Sequence, residues 1–574
     1  MPGAILGLSA YSHDSACCIL RDGQLLAAAE EERFSRVKHD SALPVRALRA
    51  CLREARLSLA DIAHVAFFEN PENRPAAAAA RKTCDDIAFA VREQLGLNLP
   101  IRFYEHHLSH AAAAFYYSGA RDGAFFTADA LGESTTALFG EIGSSGIRTF
   151  ERVLHPHSLG VFYSAVTWFL GFEPNHDEYK VMGLAPYGRP AYADKLKMLL
   201  ADGPGAQFRL NAEYFDFQNG PEVFGRLWAP LLGFGPRARG EAIKPHHHDL
   251  ASSAQRLLEE LIVGKAAYLK SRSRSRQLCL SGGVFLNCVA NARVRAARLF
   301  DSVHVAPAAH DGGGAIGAAV LAHFDLFGAW PVSTGTPRAR LGPSYDNEAV
   351  RELLESAGVP YEDFSRDTGA LLEKTARALA AGQIVGWHQG AMELGARALG
   401  GRSILADPRP ASMKDKINAL VKKREAFRPF APVTLEDEVP GYFEAEGAYP
   451  HMTETVQVRP GAGLEAVTHV DGSARLQTVT PASEPRLADL LGRFENLTGV
   501  PVLLNTSFNV AGEPIVENPE QALFGFIKAG LDVLVIGDFL VERSALPPDL
   551  VRQIEPLETP GRLTKPSQTV YAIL

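Results

Sequence analysis

Three observations predict an α/β protein of two domains, the first built from duplicated halves. Short apolar strands alternate with helical stretches, one order of strands and turns occurs twice, and the composition shifts late in the chain. With 574 residues, the chain can bury several cores.

Residues 4–9 read as a buried strand, followed by the polar turn Tyr11-Ser12-His13-Asp14-Ser15. A second strand, 16–20, meets the hairpin signal Arg21-Asp22-Gly23-Gln24, and a third covers 25–29. Stretches 44–57, 76–95 and 107–117 read as helices, and 65–68 as a strand. The opening order recurs within 124–153: an apolar strand, the loop Asp129-Ala130-Leu131-Gly132-Glu133-Ser134, a strand through Leu138 and Phe139, a Gly-Ser-Ser-Gly turn and a third strand. Identity between the copies is slight, so the duplication rests on the order of elements.

His106 and His110 stand at i and i+4, on one face of the expected helix. Histidines at this spacing are more often ordinary polar residues, and one face supplies only two ligands. A metal reading therefore needs carboxylates from elsewhere. Asp129 ends the run Phe125-Phe126-Thr127-Ala128, and Asp311 follows Val303-His304-Val305-Ala306-Pro307. Both stand where a strand reaches a glycine-bearing turn, the usual ligand position in an open α/β sheet. Two histidines and two carboxylates suit iron(II), manganese or zinc.

Residues 202–244 are irregular and rich in Gly, Pro and aromatics, in keeping with a lid or an acceptor-binding insertion. In His246-His247-His248-Asp249 the adjacent histidines point in different directions, and Asp249 reads as the N-cap of a helix over 250–270. A strand over 277–280 then enters Ser281-Gly282-Gly283-Val284-Phe285-Leu286-Asn287, and Asp311-Gly312-Gly313-Gly314 repeats the pattern one unit later. Each alone is a tight strand-to-helix turn. Two together point to a nucleotide-like ligand, with Ser281, Gly282, Gly283, Asn287, Gly312 and Gly313 around it.

Residues 328–347, rich in Gly, Pro, Ser and Thr, read as a connector, and helices over 348–357 and 369–381 open the second domain. Its basic residues gather in short motifs: Arg397 and Arg402, Lys422 with Arg424, and Arg475. A strand over 502–504 ends in Asn505-Thr506-Ser507-Phe508-Asn509. Such groups bind phosphate and a small carbonyl compound together, although each basic run alone is equally a solvated face.

These motifs resemble those of the O-carbamoyltransferases of the NodU and antibiotic-biosynthesis family along nearly the whole chain. The N-terminal half carries Glu30-Glu31-Glu32-Arg33-Phe34-Ser35, Glu105-His106-His107-Leu108-Ser109-His110-Ala111, Glu178-Tyr179-Lys180-Val181-Met182-Gly183-Leu184 and Leu280-Ser281-Gly282-Gly283-Val284. The C-terminal half carries Arg397-Ala398-Leu399-Gly400, Phe427-Arg428-Pro429-Phe430, His469-Val470-Asp471-Gly472 and Leu504-Asn505-Thr506-Ser507-Phe508-Asn509. Ala391 and Ala396 depart from the pattern, standing where an arginine and a proline are common.

The resemblance implies an N-terminal actin-like ATPase (ASKHA) domain over residues 1–345 and a C-terminal YrdC-like α/β domain over 346–574. It implies that carbamoyl phosphate and ATP give carbamoyl adenylate and pyrophosphate in the second domain, and that the first passes the carbamoyl group to a hydroxyl. In those terms Arg397, Arg402, Lys422, Arg424, Arg475, Asn505 and Ser507 hold carbamoyl phosphate and ATP, with Mg2+ accompanying the nucleotide. A divalent metal, Fe2+ by this resemblance, sits on His106, His110, Asp129 and Asp311, and His13 is the expected general base. The expected acceptor is a small specialised metabolite.

A formal net charge of -8 gives no sign of a nucleic-acid-binding face. The six cysteines lack paired spacing, which argues against a zinc knuckle or a disulfide framework. No secretory signal or membrane-length apolar run is present, so the expected setting is cytoplasmic, with a homo-oligomer left open. The rival readings are a nucleotide sensor of actin-like fold without transfer activity, and carbamoylation of a macromolecule.

Overall fold

The computed structural model describes residues 3–74, 82–216, 223–331, 338–422, 425 and 427–557. It divides into two compact units, Met1–Glu31 with His39–Arg338, and Glu32–Lys38 with Ala339–Leu563. The boundary thus falls before residue 345, and a short N-terminal segment belongs with the second unit. Within that unit Arg33 donates to Gly395 O, and Arg36 donates to Pro514 O and Ile515 O.

In the first unit, β1 (Ala4–Ser9), β2 (Ala16–Arg21), β3 (Gln24–Glu30), β4 (Ile62–Phe67) and β5 (Ile101–Phe103) form a sheet of order β3-β2-β1-β4-β5. The second sheet uses β6 (Gly123–Gly132), β7 (Thr135–Gly143) and β8 (Gly146–Leu154). A separate ribbon pairs β9 (Leu200–Asp202) with β10 (Phe208–Leu210), and β11 (Gln277–Ser281) and β12 (Ser302–Val305) complete the order β12-β11-β6-β7-β8. In both sheets the first three strands are antiparallel neighbours and the last two run parallel to the first. The duplicated α/β halves are therefore present in the topology itself.

Two helices follow the last strands of the two sheets. His106–Ser118 and Gly314–Phe327 touch so closely that a Cβ on Gly317 would lie 1.7 Å from Ser109 O. Their runs of Ala and Gly make that approach possible. The first is buried on every side over His106–His107 and Ser109–Tyr117, so its histidines enter the interior without an amphipathic pattern.

Two expectations need correction. The region 202–244 is not wholly irregular, since β10 and the short helix Trp228–Leu232 lie in it; residues 217–222 fall outside the described set. Asp249 is not an N-cap. The helix begins earlier, at Pro245–Arg272, where His247 Nδ1 accepts the Lys244 N–H, while Asp249 accepts the N–H of Arg189. The expected helix over 76–95 is described only from residue 82, and there it is Cys84–Ala90 followed by a wider turn to Leu95.

The second unit holds β13 (Glu362–Asp363), β14 (Val385–His388), β15 (Arg402–Ala406), β16 (Ala431–Leu435) and β17 (Thr455–Gln457). It also holds β18 (Ser473–Arg475), β19 (Gln477–Val479), β20 (Val502–Ser507), β21 (Val533–Ile536) and β22 (Phe539–Glu542). Eight of these form a mixed sheet of order β13-β22-β21-β14-β15-β20-β16-β19, and β17 pairs with β18. One core gathers Ile404, Leu504, Phe508 and Phe526, and another gathers Trp387, Leu405, Leu503 and Phe494. Residues 404 and 405, like 503 and 504, point to opposite faces, so the sheet separates two cores.

Candidate functional site

The ends of β6 and β12 and the buried helix His106–Ser118 bring four side chains together in the first unit. The β6–β7 ladder is interrupted between Ala128 and Gly132, and this irregularity re-aims Asp129. Asp311 opens a tight helical turn after β12. The Nε2 atoms of His106 and His110 stand 3.1 Å apart. His110 Nε2 lies 3.4 Å from Asp129 Oδ2 and 3.6 Å from Asp311 Oδ1; His106 Nε2 lies 3.9 and 3.6 Å from the same atoms. Ligand atoms about 2.1 Å from a shared ion, at angles of ~90–110°, lie ~3.0–3.4 Å apart. The four residues therefore form a candidate metal site.

Electrostatics agree with that reading. Burial pushes the His106 imidazole down, but Asp311 and Asp129 more than reverse this and raise it to about 10. Burial would raise the Asp129 carboxyl, yet His106 and His110 hold it well below the usual range. Two anions facing two imidazoles attract a proton or a metal cation to the space between them.

The surroundings orient each ligand. Gly283 N–H donates to Asp129 Oδ2 at 2.8 Å, and Ser281 Oγ lies 3.2 Å from His110 Nδ1. Glu133 Oε1 accepts the His106 N–H at 3.0 Å, and a Cβ on Gly132 would fall 2.4 Å from the His106 ring. His107 turns away, bonding Thr127 Oγ1 and Thr135 O; burial holds its pKa well below the ordinary value.

The glycine loops differ from expectation. Gly282 N–H donates to Ala309 O, Gly283 N–H to Asp129, Gly312 N–H to His310 Nδ1 and Gly313 N–H to His310 O. Ser281 serves His110, and Asn287 caps the helix Cys288–Ala296 while its amide pairs with that of Gln255. These six residues do not present a row of free amides to phosphate, because the fold uses their donors to build the metal cradle and cap a helix.

His13 belongs to a second histidine group. Asp14 stands between His13 Nδ1 at 2.7 Å and His39 Nδ1 at 2.6 Å, and His39 Nε2 meets His176 Nδ1 at 2.8 Å. His310 lies 3.4 Å from Asp14 and 3.0 Å from Glu30. The Asp14 contacts to His13 and His39 are short hydrogen bonds, and the same three residues form a second group able to hold a cation. Although burial opposes it, Asp14 pushes His13 up to about 9. The Asp14 carboxylate orients the His13 ring through Nδ1.

In the second unit Arg402 is fully buried, and its guanidinium donates to Glu517 O, Gln389 O, Gly390 O, Gly401 O and Pro343 O. It ties together the loops that carry these carbonyls. Arg397 and Arg475 are half-buried, and Ser507 Oγ donates to Asn509 Oδ1. Lys422 closes the turn Asn418–Lys422, but its side chain, like Arg424 as a whole, lies outside the described residues. Asn505 is buried and bonds Gln477, a residue that no motif in the sequence singled out.

Residues 4–82 and 88–320 match the family description "Carbamoyltransferase N-terminus", and residues 376–543 match "Carbamoyltransferase C-terminus". An uncharacterised Synechocystis protein is 39% identical, with 95% of this chain and 97% of that one covered. The nodulation protein NolNO of Sinorhizobium fredii is 36% identical across 94% of this chain and 81% of its own. The 3'-hydroxymethylcephem-O-carbamoyltransferase of Amycolatopsis lactamdurans is 37% identical across 46% of this chain and 49% of its own. Among solved structures, T. kodakarensis HypF aligns with 57% of this chain and 48% of its own, at 14% identity and a TM-score of 0.33.

Proposed function

The chain belongs to the carbamoyltransferase family, and from that premise we propose an ATP-dependent O-carbamoyltransferase acting on a hydroxyl of a small specialised metabolite. The convergence of His106, His110, Asp129 and Asp311 carries the reading, because transfer to a neutral alcohol needs a strongly polarised carbonyl. A divalent ion there, Fe2+ in this proposal, would supply Lewis acidity toward the carbamoyl carbonyl or the nucleotide phosphate.

Activation is assigned to the second unit, read as YrdC-like. Carbamoyl phosphate is hydrolysed to carbamate and inorganic phosphate; a carbamate oxygen then attacks the α-phosphorus of ATP, and pyrophosphate leaves with Mg2+. Arg397, Lys422, Arg424, Arg475, Asn505 and Ser507 are the proposed binding groups, their cations meeting the phosphate charge.

Transfer is assigned to the first unit. The acceptor oxygen forms a bond to the carbamoyl carbon, the bond from that carbon to the AMP oxygen breaks, and one proton passes to solvent. His13, oriented by Asp14, is proposed as the general base that takes this proton from the acceptor hydroxyl. The loops of Gly282, Gly283, Gly312 and Gly313, whose Cα faces pack against Ala128, Asp129, His310 and Ala308, are proposed to lie beside the adenylate, with Ser281 and Asn287.

The proposed setting is cytoplasmic, where ATP and carbamoyl phosphate are made; among the described residues no helix is long and apolar enough to cross a membrane. The test is pyrophosphate release with ATP, with and without carbamoyl phosphate, in the wild type and in Lys422→Ala and His110→Ala. Release that needs carbamoyl phosphate, fails in Lys422→Ala and persists in His110→Ala is expected. Release indifferent to carbamoyl phosphate would overturn the reading.

A further inference from the structure

A second group of imidazoles stands at the turn between β1 and β2 of the first unit. His13 and Asp14 belong to that turn, and His39 to the segment before the helix Val45–Glu54. Asp14 is 7% exposed, and each of its oxygens holds one ring: Oδ2 the His13 Nδ1 at 2.7 Å, Oδ1 the His39 Nδ1 at 2.6 Å. Backbone bonds clamp the two segments together, since Ser41 O accepts the Tyr11 N–H and Asp40 O the Ser15 N–H, both at 2.8 Å. Asp14 and His39 are also held in the left-handed region, at φ 53° and 56°, where side chains other than glycine are uncommon.

Two imidazole nitrogens and a carboxylate are the donor set of a borderline divalent cation. Ligand atoms around one ion lie ~3.0–3.4 Å apart, so each Asp14 contact must lengthen by about 0.5 Å to admit one. The His13 and His39 side chains are 24% and 25% exposed, which gives an ion a way in and a water room to complete its tetrahedron. An outer partner is in place as well, because His39 Nε2 lies 2.8 Å from His176 Nδ1. With an ion on Nδ1, the His39 ring carries its proton on Nε2 and donates it to His176, the usual support of a ligating histidine.

We propose that His13, Asp14 and His39 form a second, inhibitory Zn2+ site. The inhibition rests on the general-base role proposed above, and the tautomer of His13 explains it. While Asp14 accepts from the Nδ1–H, the Nε2 lone pair is left to take the proton of the acceptor hydroxyl. With Zn2+ on Nδ1, the neutral ring carries its one proton on Nε2 and has no lone pair to offer. Zinc therefore stops transfer by occupying the base, and the activation step in the second unit continues.

The experiment uses full-length protein treated with a chelator and titrated with Zn2+, with bound metal counted and folding checked by circular dichroism. Wild type is expected to bind two ions per chain, one for each group, and His39→Leu and His13→Leu one each. Diethyl pyrocarbonate, which acylates an imidazole only through a nitrogen lone pair, is then applied to metal-free and zinc-saturated wild type and read at His13 by peptide mass spectrometry. Acylation of His13 in the metal-free protein and its loss with zinc are expected. A single ion in wild type would overturn the site without any variant, as would two ions in folded His39→Leu or His13→Leu. Acylation of His13 that persists with zinc, or that is absent without it, would overturn the inhibition, since zinc then removes no lone pair. Neither readout needs carbamoyl phosphate or an acceptor, so failure of pyrophosphate release would overturn the proposed function and leave the zinc site standing.

Discussion

Gly132→Ala should weaken metal binding by displacing His106. Gly132 is outside the left-handed region, so alanine suits its backbone, and the consequence of the change is steric. The new Cβ would lie 2.4 Å from two His106 ring atoms and 2.8 Å from the His106 Cβ. Ordinary contact begins near 3.4 Å, so the ring must retreat by about 1 Å, half the length of a metal–nitrogen bond. Because the ring is buried and its helix starts at residue 106, the movement shifts Nε2 relative to His110, Asp129 and Asp311. Disturbing a supporting contact of this kind costs about 10–100-fold in metal affinity. At saturating metal that equals ~1.4–2.8 kcal/mol of lost metal-linked stability. The assay is titration of chelator-treated protein with Fe2+, Co2+ or Zn2+, read by bound-metal analysis and by the rise in Tm. Gly143→Ala is the control, since its Cβ would meet nothing within 4 Å. Equal metal affinity in Gly132→Ala and wild type would refute the cradle reasoning.

Ser281→Ala should lower metal affinity about tenfold, by loosening His110, while leaving carbamoyl-phosphate-dependent pyrophosphate release intact. A loss confined to pyrophosphate release would return Ser281 to a nucleotide role. Arg402→Met should destabilise the protein by about 3–5 kcal/mol in denaturant unfolding, because it strands several buried carbonyls. Wild-type stability with weakened carbamoyl phosphate binding would contradict the structural role assigned here. His247 is pushed down to about 4 by burial, with His246 adding to the effect. Its folded pKa is below the unfolded value, so the stability it contributes is complete above about 6.5 and disappears as pH falls through about 4. His247→Gln, which keeps an acceptor for the Lys244 N–H, should flatten that part of the acid unfolding curve, and an unchanged curve would dismiss the assignment.

The four residues of the candidate metal site were legible one by one. The i, i+4 spacing of His106 and His110 put both rings on one helical face, and Asp129 and Asp311 stood at strand ends, where an α/β sheet exposes side chains. The repeated strand order was legible for the same kind of reason, since hairpin chemistry and apolar runs are local. Assigning roles to donors was a different matter. Gly282, Gly283, Gly312 and Gly313 look alike in sequence whether their amides face a phosphate or the protein, and only the packed structure shows Asp129, Ala309 and His310 taking them. The charge of Arg402 suggested phosphate, but the carbonyls of Pro343, Gln389, Gly390 and Glu517, from three other segments, surround it with that of the adjacent Gly401. Gln477 lies in no motif, and it matters only because β19, β20 and the Ala398–Leu399 loop meet. Local spacing and turn chemistry therefore determined the elements, the duplication and the four converging ligands. Tertiary structure decided which polar groups were already satisfied, because a hydrogen bond between segments depends on their distance in space, to which sequence separation is no guide.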